Sequence, residues 1–221
     1  MVSPLSRGLF HKAIAQSGYA TWALPRSENA TAPATLGMDL EPLPSAEELS
    51  KRVAKAVDAA AITESQLRAL DGSALMYALS GFQLPIVDGV GLVGEPAVLA
   101  WQGKQHDVPL IMGGSSFEGT VQPASGITLD EFRRFHEHDW DTARRLYAEE
   151  FGVSEEFGLK KMFGDNRYVL AARTMVRSMN NRDSSAWAYY VNFVPASRAQ
   201  EWPGTPHGVD GYYLWSGEAS G

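Results

Sequence analysis

The sequence contains no cysteine. That excludes a disulfide framework, a thiolate metal site and a cysteine nucleophile. It leaves the compartment open, because exported proteins need not carry disulfides. A basic surface is also missing. With 19 Lys and Arg against 26 Asp and Glu, the net charge is −7, the wrong sign for a partner rich in phosphate, so no nucleic acid is expected. No five like charges run together. No apolar stretch approaches the length that spans a bilayer, and the N-terminus lacks a basic stretch followed by an apolar core. The chain therefore reads as soluble, with no signal peptide visible, no membrane partner and no assigned localisation. No glycine-rich phosphate loop or dinucleotide fingerprint occurs, so no cofactor is expected. Nor does the G-x-S-x-G pattern, the nucleophile elbow of many serine hydrolases.

What is present is an ordinary globular composition, 44% hydrophobic and 20% charged, on a chain long enough for one sizeable core. Three segments read as strands: Lys12 to Gln16, Val108 to Met112 closed by two glycines, and Ala186 to Phe193. Trp187, Tyr189 and Tyr190 in the last are expected to be core. Helical signals fill the spaces between. Ser45 and Glu48 have capping-box spacing ahead of the stripe Leu49, Val53, Ala56, Val57 and Ala60. Thr63 and Gln66 open a shorter helix, and Thr128 and Glu131 another. Tyr168, Ala172, Met175, Val176 and Met179 mark a longer helix from about Asp165 to Asn181. Tyr19 to Pro44 reads as loop. Strands separated by helices predict an α/β architecture with a mostly parallel sheet and flanking helices.

Two short pieces carry chemistry. Gly113-Gly114-Ser115-Ser116-Phe117-Glu118-Gly119 follows the second strand, and Gly204-Thr205-Pro206-His207-Gly208 follows the third. The carboxylate precedes the histidine, the order of acid and base in α/β-hydrolases. A loop imidazole can take and return a proton near neutral pH, and a carboxylate at a strand end can orient it. Taken singly, Glu118 would read as a capping carboxylate and His207 as a solvent-exposed loop residue. His136 and His138 suggest a metal, but positions two apart on a helix face different directions, so no metal site is expected. Ser17 and Ser115 are candidate replacement nucleophiles without an elbow, and read as structural. Asn29-Ala30-Thr31 matches a glycosylation pattern too short to carry weight.

The opening residues, Ser3-Pro4-Leu5-Ser6-Arg7-Gly8-Leu9-Phe10-His11-Lys12-Ala13-Ile14-Ala15-Gln16-Ser17-Gly18, resemble the segment after the nucleophile helix in type-B carboxylesterases. That family includes para-nitrobenzyl esterases and cholinesterases. Pro85-Ile86-Val87-Asp88-Gly89, the Glu118 segment and the His207 segment match it in the same order. The resemblance implies a partial α/β-hydrolase fold, with residues 1–221 as the C-terminal portion of a single domain. It implies a serine-type carboxylic ester hydrolase in which Glu118 orients His207 as general base. The nucleophilic serine and the oxyanion hole are expected on an N-terminal segment that is missing here. The substrate would be a small-molecule ester, and the chain alone is expected to be inactive. The alternatives are a non-catalytic interaction module of the same fold, which typically loses triad residues by substitution, or a gene fragment without activity. Self-association, or pairing with the missing segment, is the expected partnership.

Overall fold

The computed structural model describes residues 1–28, 30, 44–58, 63–79 and 84–216. The Asn29 to Thr31 pattern, the last member of the Ser45 stripe, Ala60, and most of the loop expected up to Pro44 lie outside the described residues. Three strands, β1 (Ala13–Gln16), β2 (Leu110–Ser115) and β3 (Ala186–Val191), form a parallel sheet in the order β1-β2-β3. The helices are α1 (Ala46–Val57), α2 (Glu64–Arg68), α3 (Gly72–Ala78), α4 (Pro96–Trp101), α5 (Leu129–Phe135), α6 (Trp140–Leu146), α7 (Ala148–Val153), α8 (Glu155–Gly164), α9 (Leu170–Ser178) and α10 (Val209–Trp215). The architecture is α/β, as expected.

The glycines after Met112 do not close β2. The strand runs on to Ser115 because β3 supplies partners as far as Val191. Gly113 makes this possible, since a Cβ there would sit 2.2 Å from the Tyr189 carbonyl oxygen. The helix expected from Asp165 to Asn181 also differs. It continues directly from α8, capped by Ser154, whose side chain accepts from the Phe157 N–H. It passes through a π turn at Asp165–Val169 before α9, and ends in a 3₁₀ turn at Met179–Asn181. The boxes at Thr63 and Thr128 close from both sides. At Ser45 only half forms. Its side chain accepts from the Glu48 N–H at 3.0 Å, while the Glu48 carboxylate pairs with Arg52 one turn on.

One face of the sheet is covered. Leu110 and Met112 pack with Ala171, Ala172, Met175 and Met179 of the α9 region, flanked by Ala13, Ala15 and Ala186. Because side chains alternate along a strand, Ile14, Ile111 and Trp187, which share one cross-strand row, point to the other face. They are 63%, 38% and 54% exposed. The aromatics of β3 are therefore not all core. Tyr190, on the α9 side of the sheet, is 49% exposed, and Trp187 stands largely in solvent because the described elements cover only the C-terminal end of its own face. There α10 approaches and Tyr189 donates to Asp210 at 2.5 Å. A second core joins Trp22, Phe132, Phe151, Leu159, Met162 and Phe163 among the helices after β2.

Candidate active site

The C-terminal end of β2 delivers Glu118. The strand ends at Ser115, and Glu118 opens a 3₁₀ segment, Glu118–Ser125. The chain after β3 returns beside it. Phe117 and Pro206 form a parallel bridge, and the Phe117 N–H donates to the Thr205 carbonyl at 2.9 Å. The Thr205 N–H donates to Ser116 Oγ at 2.8 Å, and the His207 N–H to Thr120 Oγ1 at 3.1 Å. This splint fixes the backbone on both sides of the two side chains. It explains how residues 207 − 118 = 89 positions apart come to touch.

His207 Nδ1 lies 2.5 Å from Glu118 Oε2. The other carboxylate oxygen accepts from Ser17 Oγ at 2.6 Å and from the Ser115 N–H at 2.6 Å. Glu118 is fully buried, whereas the His207 side chain is 31% exposed. A carboxylate so far from water must find its donors in the protein, and three converge on it here. With Nδ1 as the donor to Glu118, the imidazole keeps Nε2 as its acceptor. The Tyr168 ring lies against the imidazole, with centroids 4.8 Å apart and planes tilted by 42°.

Close backbone approach makes this burial possible. A Cβ on Gly114 would fall 2.5 Å from Glu118 Oε1. A Cβ on Gly164, at the end of α8, would fall 2.5 Å from the Gly119 nitrogen and 2.6 Å from Glu118 Cβ. Side chains at either position would push the carboxylate out of its bed.

Ser17 sits on a left-handed backbone, φ 49°, just after β1. It is buried, and its hydroxyl is committed to Glu118. Ser115 is buried too, with its N–H on the same carboxylate. Neither serine hydroxyl is bonded to His207 in this arrangement. His136 packs edge-on against Phe132, 4.8 Å between centroids, and burial holds its pKa below the usual value. His138 lies in a separate 3₁₀ turn. Among the described residues no three His, Asp or Glu side chains cluster to hold a metal, and no helix is long and apolar enough to cross a membrane.

The sequence matches the Carboxylesterase family over residues 1–220. The chain belongs to that family. Bovine (Bos taurus) Carboxylesterase 4A is 30% identical over 135 residues, which cover 53% of this chain and 22% of that protein. Among solved structures, EstA of Aspergillus niger superposes with a TM-score of 0.64 at 18% identity, covering 93% of this chain and 42% of its own. A PNB esterase superposes with a TM-score of 0.63 at 17% identity, covering 98% and 43%. The fold is thus that of the α/β-hydrolase esterases, with a parallel sheet and flanking helices. The chain spans about a fifth of the curated relative's length and less than half of each solved structure.

Sequence reasoning did not find the roles of Ser17, Thr120 and Tyr168 around the pair. Gln16-Ser17-Gly18 at a strand end was the available signal for Ser17. Tyr168 was legible only as one member of an apolar helical stripe, which gave no sign that its ring reaches an imidazole.

Proposed function

We propose that this chain carries the acid–base half of a serine-type carboxylic ester hydrolase. The observation that carries the reading is the 2.5 Å contact between His207 Nδ1 and the fully buried Glu118 carboxylate, within a chain of the carboxylesterase family. In this reading His207 Nε2 takes the proton of a serine hydroxyl as the oxygen attacks the ester carbonyl. It then returns that proton to the departing alcohol. Glu118 holds Nδ1–H, fixes the tautomer, and stabilises the imidazolium formed between the two transfers. Water then repeats the cycle on the acyl-enzyme, with His207 again as base. Ser17 and Ser115 keep the carboxylate aimed.

The nucleophile and the oxyanion donors belong to an N-terminal segment carrying G-x-S-x-G, and residues 1–221 act as the C-terminal portion of one domain with it. The substrate is a small-molecule ester. Two observations support this division. No elbow occurs in the sequence, and of the two buried serines near the pair, Ser17 gives its hydroxyl to the acid while Ser115 is fully buried and makes no bond to the base. Without oxyanion donors developing charge is unstabilised, and losing one such donor alone costs about 100- to 1,000-fold. The chain alone therefore has no esterase turnover.

The open row Ile14, Ile111 and Trp187 favours a second reading, a non-catalytic module that pairs through this face. Reading the DNA upstream of Met1 and assaying the extended product on a short-chain nitrophenyl ester separates the two. The esterase reading expects an in-frame G-x-S-x-G and turnover that is blocked by an organophosphate and lost in His207→Ala. Turnover that survives His207→Ala, or an extended product with no elbow and no turnover, would reject it.

A further inference from the structure

The π turn at Asp165–Val169 interrupts an otherwise continuous helix beside the Glu118–His207 pair. The Leu170 N–H reaches back five residues to the Asp165 carbonyl, one residue further than an α-helix allows. Arg167 and Tyr168 both lie within this turn, and both are 2% exposed. The turn thus carries two neighbouring buried side chains.

Their partners connect both halves of the site. Tyr168 lies on the His207 ring at 4.8 Å. Its hydroxyl is hydrogen-bonded to Arg167. The Arg167 guanidinium lies 4.3 Å from the centre of the Trp22 ring and 5.0 Å from that of Tyr19, each a cation–π distance. Tyr19 follows Ser17 by two residues, and Ser17 is bonded to Glu118. A single helical defect thus bears on the base through Tyr168, and on the segment that aims the acid through Arg167.

We propose that Tyr168 is a positioning residue for His207, a shelf held in place by Arg167 through the π turn. The inference rests on the reading of Glu118 and His207 as an acid–base pair. The physical argument is rotational. The hydrogen bond to Glu118 fixes one point of the imidazole but leaves it able to swing about that contact. A ring packed on one face removes that freedom and holds Nε2 in a single direction, which is what a general base needs.

The test uses the chain as it stands, with labelled histidine and NMR of the imidazole resonances. In the unmodified chain the His207 carbon-bound protons should be shifted upfield by the Tyr168 ring current, and the Nδ1 proton should appear as a protected low-field resonance. Tyr168→Leu removes the shelf. It should abolish the upfield shift and speed exchange of the Nδ1 proton roughly tenfold, the scale of one lost ordering contact. Tyr168→Phe keeps the ring and cuts only the link to Arg167, so it should retain the ring-current shift with a smaller gain in exchange. Should the Leu variant fail to fold, the Phe variant still decides. A Phe or folded Leu variant whose Nδ1 proton exchanges as slowly as in the unmodified chain would overturn the proposal, since mere packing would survive that result. Glu118→Gln separates the two levels of the argument. If no low-field proton is present and Glu118→Gln leaves the His207 shifts unchanged, the acid–base pair itself is wrong, and the shelf falls with it.

Discussion

Glu118 draws its hydrogen bonds from a hydroxyl, a backbone N–H and an imidazole in a fully buried site. Replacing it by Gln changes one acceptor oxygen to an amide that cannot accept, so at least one buried donor loses its partner. Glu118→Gln should therefore destabilise the fold by about 1–3 kcal/mol, read as a lower urea midpoint. An unchanged midpoint would mean that the carboxylate is not bedded as described. His136 provides a pH test at the same scale. Burial lowers its folded pKa below the unfolded value of about 6.5, so the folded state binds fewer protons than the unfolded one. The stability tied to its neutral form is complete above the unfolded pKa and is lost as pH falls below that value toward the folded pKa. His136→Gln should flatten the stability profile in that window. A profile equally steep in the variant would assign the acid sensitivity elsewhere. At this scale the meeting of Glu118 with His207 was legible from their motifs and order. Ser17 was read as structural, but its bond to Glu118 was not legible, because it depends on β1 and β2 lying side by side.

The decisive element is the junction of α8 with the segment after β2, where Gly164 meets Gly119 and Glu118. Two effects compete in Gly164→Ala. Helix propensity favours Ala by about 1 kcal/mol. Overpacking opposes it, because the new Cβ would lie 2.5 Å from a backbone nitrogen, and forced insertions typically cost about 1–3 kcal/mol. Backbone cannot yield as a flexible side chain can, so we expect net destabilisation in urea unfolding. Net stabilisation would show that α8 can move away without penalty. The three strands and the capping residues Thr63 and Thr128 were legible, because alternation, apolar runs and cap spacing are local. The π turn was not. Its residues fit a 3.6-residue stripe through Tyr168 and Ala172, and the extra residue shows only in the bond from the Leu170 N–H to the Asp165 carbonyl. The extension of β2 through Gly113 and Gly114 was hidden for a related reason. Glycines usually end a strand, and here they serve the approach of β3.

For the whole molecule, the parallel sheet leaves Ile14, Ile111 and Trp187 in solvent on one face. Among the described residues no strand pairs with the outer edge of β1. Open edges and contiguous apolar surface favour association. The sequence expectation that β3 would be fully buried failed here, because burial of a strand depends on what covers the sheet, and that is not written in the strand itself. Sedimentation should show self-association of the purified chain, and Trp187→Lys should weaken it roughly tenfold or more, as removing a central aromatic from an interface does. A sharp, cooperative monomer at high concentration would contradict this and indicate a self-sufficient domain. The most direct test of the central claim is where a serine-directed fluorophosphonate reacts on the chain by itself, mapped by mass spectrometry. The account predicts no adduct, because Ser17 and Ser115 are buried against Glu118 and the proposed nucleophile is on another segment. A stoichiometric adduct on Ser17 or Ser115 that disappears in His207→Ala would contradict it, for the chain would then hold its own nucleophile.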